Sequence, residues 1–145
     1  TRPAGSDVYG LLKEHNLKIK NRALESGHSV RTIINPHVIC ADTEKEAKAR
    51  KQAFIDHADP VALDNFFKFI TGGDTVSWKG AMRDDLAVGG NMQMVGTPEQ
   101  VVEKMLKLHD CGIDGIQVNF YDYLPDLEYF GERVLPLMKE AGLRN

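Results

Sequence analysis

The strongest constraint on this chain is the alternation of β-branched apolar runs with helix-patterned segments. Residues 30–41 contain T-I-I-N-P-H-V-I-C-A, and residues 115–120 read G-I-Q-V-N-F. Nearly continuous apolar runs of this kind suit strands buried on both faces, as in a parallel sheet. Helical patterns precede, separate and follow them, so the strands are expected to be parallel and joined by right-handed crossovers. Two such strands cannot cover their own edges. The pattern therefore predicts further strands in a longer chain, or a second copy. Residue 1 is Thr rather than Met, which adds the expectation of a chain processed or cut from something longer. On this reading residues 1–145 form one partial domain.

The helices announce their own ends. Val8, Leu11, Leu12, Ile19, Ala23 and Leu24 recur at helical spacing within residues 6–26, with Ser6 or Asp7 to cap the start and Gly27 the end. Thr43-Glu44-Lys45-Glu46 is a capping box, followed by Ala47, Arg50, Phe54 and Ala58 on one face. Asp59-Pro60 restarts a helix with the apolar stripe Leu63, Phe66, Phe67 and Ile70, stopped by Gly72-Gly73. Thr97-Pro98-Glu99-Gln100 is a second box, with Val101, Val102, Met105, Leu106 and Leu108 predicted to face the core up to Gly112. A last helix over residues 124–141 buries Leu127, Phe130, Val134, Leu137 and Met138, and Pro136 should bend it. Two places break the pattern. Pro36 sits inside the first strand, where it needs a bulge, a strand end or an unpaired rung. Residues 74–95 show no period and read as a long loop, a lid or a dimer contact, holding Trp78 and Gly89-Gly90.

Composition narrows the function classes. A formal net charge of -3 gives no basic field for a phosphate backbone, so nucleic acid is not an expected partner. No apolar run reaches the roughly 20 residues that a membrane helix needs, and no signal-peptide core opens the chain, so a cytoplasmic location is expected. Cys40 and Cys111 lie far apart in apolar settings and outside any C-x-x-C motif, and are expected as buried, reduced thiols. His15, His28, His57 and His109 have no metal-ligand spacing, and no phosphate-binding glycine motif occurs.

Three stretches carry a family resemblance: N-P-H-V-I-C-A-D-T-E-K-E-A at residues 35–47, M-V-G-T-P-E-Q-V at 94–101, and G-I-D-G-I-Q-V-N-F at 112–120 with Y-L-P-D-L-E-Y-F-G-E-R-V-L-P-L-M at 123–138. In this order and spacing, over roughly residues 10–142, the chain resembles the C-terminal portion of the bacterial-luciferase superfamily of flavin-dependent monooxygenases. The nearest members oxidise small organosulfur compounds such as alkanesulfonates, dimethyl sulfone or dimethyl sulfide. The resemblance implies an α/β fold, the last βα units of a (β/α)8 TIM barrel that is incomplete in this chain. It implies reduced FMN as cofactor, supplied by a separate NAD(P)H-dependent flavin reductase, with deazaflavin as the alternative. It also implies use of O2, a small-molecule substrate and a homo-oligomer. Most FMN-phosphate contacts in the family come from strands that precede this portion, so the isolated chain is expected to be inactive.

Candidate site residues follow from strand parity and from the resemblance. In such barrels working residues come from strand ends and the loops after them. Asn35 and His37 are two residues apart and share a strand face, opposite the more apolar Ile34, Pro36 and Val38. A polar pair facing a barrel interior needs partners or a ligand. The resemblance gives His37 an active-site place, suited to hydrogen bonding an oxyanion or to proton transfer near neutral pH. It also gives Tyr121 a catalytic place in the pocket lining and Arg83, in the preceding loop, a substrate-binding place; Asn35 and Asn119, the latter at the strand tip, are the other expected substrate-binding residues. The rival reading is a non-catalytic half-barrel that acts as an assembly or interaction module.

Overall fold

The computed structural model describes residues 7–71 and 81–144. Helix α1 (Val8–Glu25) leads into two short strands, β1 (Ile33–Ile34) and β2 (His37–Cys40). Helices α2 (Glu44–Asp56), α3 (Pro60–Thr71) and α4 (Ala81–Ala87) follow, then strand β3 (Gln93–Gly96) and helix α5 (Pro98–Asp110). Strand β4 (Gly115–Ile116) and helix α6 (Tyr123–Tyr129) come next, and a π-helical turn (Phe130–Val134) joins α6 to α7 (Leu135–Glu140).

Pro36 explains why the predicted first strand is split. The even-numbered residues of the run turn their backbone groups toward β4: Gln117 donates to the Ile34 carbonyl at 2.9 Å and Asn119 to the Pro36 carbonyl at 3.0 Å. Val38 then donates to the Asn119 carbonyl at 3.0 Å. The rung between these needs an N–H at position 36, which proline lacks. Odd-numbered residues turn the other way, His37 donating to Met92 at 2.8 Å and Ala41 to Gly96 at 3.2 Å. The run is thus central. It pairs in parallel with β4 through its first half and with β3 through its second, and a His37–Asn119 bridge ties the two pairs together.

The strand β3 lies within the stretch that shows no period in sequence. Four residues are too few for a pattern, and their strand state comes from pairing with β2 in the register His37–Gln93 to Cys40–Gly96. The aperiodic stretch also contains the short helix α4. Trp78 and the helix stop at Gly72-Gly73 lie outside the described residues.

One face of the strands builds the core. Val38, Cys40 and Met94 pack with Val101, Val102, Met105 and Leu108 of α5 and with Phe130 and Val134, while Ile34, Ile116 and Val118 add to the cluster. Helix α5 earns its position by its ends and its stripe: Thr97 and Gln100 cap reciprocally, and Val101, Met105 and Leu108 are fully buried. The Thr43–Glu46 box is likewise formed at α2. Arg50 of α2 bonds both the Cys40 carbonyl at 3.1 Å and the carboxylate of Asp126 on α6 at 2.6 Å, so it ties two helices to a strand end. The π-turn precedes Pro136, and the Leu135 N–H reaches back to the Phe130 carbonyl. The final helix therefore meets its proline by local rewinding. Leu127, expected inside, is 39% exposed.

Helix α1 docks through polar groups that its apolar spacing does not reveal. Asn16 is buried and donates to the Cys111 carbonyl at 3.0 Å, and Lys20 reaches the Gly112 carbonyl and Asp114, each at 2.8 Å. Its Leu11, Leu17 and Leu24 stay exposed, as do Val61, Phe66 and Phe69 of α3. Cys40 and Cys111 are buried and free, and burial pushes the Cys40 thiol up to about 11, which keeps it unreactive. Among the described residues no helix is long and apolar enough to cross a membrane, and no His, Cys, Asp or Glu group could hold a metal ion.

Candidate functional site

The opposite strand face carries Ile33, Asn35, His37 and Ile39 of the central run. Exposure falls along it, from 69% at Ile33 to 1% at Ile39, and His37 sits at the transition. Asn119 arrives beside His37 because its backbone bridges to that residue, and its side-chain amide donates to the Asn35 carbonyl at 3.3 Å. Three of the residues singled out from sequence, Asn35, His37 and Asn119, are therefore brought together. Tyr121 joins them. Its ring stacks on the His37 imidazole with centroids 4.9 Å apart and planes at 24°. On its other side Phe54 of α2 stacks at 4.3 Å and 27°. The side chain of Arg83 lies outside the described residues.

The Tyr121 phenol does not point into free space. Its hydroxyl donates to the Val88 carbonyl, at the end of α4. Burial pushes its pKa up to about 12, so the phenol is protonated and its proton is committed to that carbonyl. Val88 is itself fully buried, and the chain after it turns back over His37. Gly89 has φ +86°, and a Cβ there would stand 2.6 Å from His37 Cε1 and 3.0 Å from Nδ1. Only glycine fits this close approach in a left-handed conformation. His37 Nδ1 is buried with no hydrogen-bond partner, and burial lowers the imidazole pKa. The sequence displayed Phe54 as a helix-face residue and Gly89-Gly90 as a punctuated loop. Neither signal says that both converge on one histidine, although a glycine pair directly after a short helix marks a tight return of the chain.

The arrangement offers a narrow set of chemistries. His37 is a neutral imidazole on a polar strand face, with amide groups of Asn35 and Asn119 beside it. Lys20 is committed to Asp114, Arg50 to Asp126 and Lys104 to the Val95 carbonyl, while the exposed Arg31 lies two residues before Ile33 on the same parity. The imidazole and amides of this face suit hydrogen bonding to an oxygen-bearing group.

Comparison with known proteins bears on this face. The family described as luciferase-like monooxygenase matches residues 13–115. The FMNH2-dependent dimethylsulfone monooxygenase of Pseudomonas fluorescens (strain Pf0-1) is 34% identical over 94% of this chain and 40% of its own length. The pyrimidine monooxygenase RutA of Acinetobacter baylyi is 33% identical over 85% of this chain and 35% of its own. Among solved structures, DmoA from Hyphomicrobium sulfonivorans superposes with a TM-score of 0.79 at 18% identity, over 94% of this chain and 36% of that one. Riboflavin lyase RcaE superposes with a TM-score of 0.82 at 21% identity, over 97% and 38%. These structures share the α/β fold of luciferase-like barrel enzymes. The chain spans 40% or less of the length of these relatives. With its fold and most of its length matched, the chain belongs to the luciferase-like monooxygenase family.

Proposed function

We propose that this chain is the C-terminal part of an FMNH2- and O2-dependent monooxygenase, a (β/α)8 barrel whose remaining strands lie outside residues 1–145. Its substrate is a small organic molecule, and an organosulfur compound is the class to test first. The observation that carries the reading is the polar row Asn35, His37 and Asn119 on one face of parallel strands, in a chain whose relatives are FMNH2-dependent or pyrimidine monooxygenases. The exposed apolar residues of α1 and α3, and Ile33 on the open strand face, support a larger barrel, because isolated domains seldom leave so many large side chains in water. The same relatives make a non-catalytic assembly module the weaker reading, and FMN rather than deazaflavin the cofactor.

The imidazole and amides present fit the reacting end of a flavin site. His37, Asn35 and Asn119 present hydrogen-bonding groups on one face. Reduced FMN, when bound, supplies the electrons for oxygen activation. In this chain His37 supplies a hydrogen bond to an oxygen of the substrate or of the reacting centre, Asn119 orients it from the neighbouring strand, and the Tyr121–Phe54 stack shields the ring from water. An NAD(P)H-dependent flavin reductase is the implied partner, and a cytoplasmic location and a homo-oligomer go with it.

The test is turnover by the protein expressed from its complete reading frame, coupled to a flavin reductase with FMN, NAD(P)H and O2. Dimethyl sulfone, an alkanesulfonate and a pyrimidine are offered in parallel. Substrate-dependent product formation that requires FMN supports the reading. Flavin oxidation that no substrate of these classes couples to product would count against it.

A further inference from the structure

At the His37 site the protein closes one edge and one face of the ring. Gly89 packs against the Cε1–Nδ1 edge of the imidazole, so closely that an added methyl would also stand 3.3 Å from Nε2. Tyr121 covers one ring face. Its hydroxyl holds the Val88 carbonyl, the peptide group that leads directly into Gly89. Nδ1 is thereby sealed with no partner, whereas Nε2 is not among the buried, unpaired atoms of the described residues. Orphaned buried N–H groups are rarer in folded proteins than under-satisfied buried acceptors. The seal therefore selects the tautomer in which Nδ1 carries the lone pair and Nε2 the hydrogen.

We propose that Gly89 and Tyr121 are positioning residues that hold His37 as a neutral ring whose Nε2–H is the one hydrogen it offers to a ligand, so that the ligand group it takes is an acceptor oxygen. His37 is then a hydrogen-bond donor rather than a proton shuttle. Of the two roles that its residue type allows near neutral pH, the geometry keeps the first. The electrostatics agree. Burial is the sole cause of the lowered imidazole pKa. The described neighbours that face the ring are uncharged: Tyr121 after β4, Asn119 on the bridge, Gln93 in register on β3 and Gly89 after α4. The functional consequence rests on the proposed site reading, but the tautomer and its cause do not.

The experiment is histidine-selective 15N NMR of the protein across a pH titration, with His37 assigned by comparison with His37→Gln. It needs neither flavin nor substrate. The expected spectrum has a pyridine-like Nδ1 and a pyrrole-like Nε2 for His37, with the ring titrating below the ordinary 6.5. In Gly89→Ala and in the milder Tyr121→Phe, His37 should show mixed tautomers and titrate closer to that ordinary value. A wild-type ring protonated on Nδ1 would overturn the proposal, as would a His37 signature unchanged in Tyr121→Phe. Should Gly89→Ala fail to fold, Tyr121→Phe decides alone. The expected spectrum, together with no flavin-dependent turnover by the protein from the complete reading frame, would sink the monooxygenase reading and leave this inference standing.

Discussion

The two faces of residues 33–40 are built from alternate positions of one backbone, yet they have opposite fates. Val38 and Cys40, with the half-buried Ile34, are sealed under α5 and the π-turn, and Pro36 on the same parity is fully buried. Ile33, Asn35 and His37 look the other way, toward a surface that is open at Ile33 and closes only at Ile39. The sealed face is complete within this chain. The open face has amide groups, a half-buried histidine and an isoleucine that is 69% exposed, which are features that one wall of the proposed larger cavity requires. On the proposed site reading, the difference teaches that stability and function are separable here by residue parity.

The comparison breaks most visibly on the sealed face. Met105→Ala should cost about 2–5 kcal/mol in urea unfolding, because a fully buried side chain leaves a cavity among close-packed neighbours. A cost near zero would mean that α5 is not packed as described. Next in size is Asp126→Ala, which strands the Arg50 guanidinium beside the Cys40 carbonyl. Arg50 is 39% exposed, so water softens the loss to about 1–3 kcal/mol. Asp126→Asn, which keeps a hydrogen-bond acceptor, should lose less.

At the boundary between the faces the effect becomes one of pH. The folded-state pKa of His37 is lowered by burial, below its ordinary 6.5. As pH falls through that window the unfolded chain takes up a proton that the folded chain refuses, so stability declines from about 6.5 and levels off below the folded value. Chemical denaturation of His37→Gln across the same range should show a shallower decline, and an unchanged slope would contradict the buried ring. Smallest of all is the open face: Ile33→Ser should shift the midpoint by no more than about 0.5 kcal/mol in this chain. The same substitution in the protein from the complete reading frame should cost distinctly more if other strands cover that position.

Sequence reasoning reached the sealed face more easily than the open one. Both capping boxes and the buried positions of α5 were legible, because each is a local pattern whose physics is complete within a few residues. The parity that puts Asn35 and His37 together was legible for the same reason. Strand β3 was not, since Gln93–Gly96 is a strand only by virtue of β2 beside it. Nor was the docking of α1 through Asn16 and Lys20, because polar anchors make no periodic signal. Tyr121 was singled out through the family resemblance, but its bond to Val88 depends on where α4 ends, a distance of 33 residues along the chain.

The central claim is that the His37 face works as one wall of a flavin monooxygenase site. The most direct measurement compares wild type with His37→Ala in the protein from the complete reading frame, matched for folding by circular dichroism, in FMNH2-dependent product formation. Loss of a preorganised donor at the reacting centre predicts a fall in kcat of about a hundredfold or more with flavin binding largely kept. Turnover at the wild-type rate in His37→Ala would contradict the account.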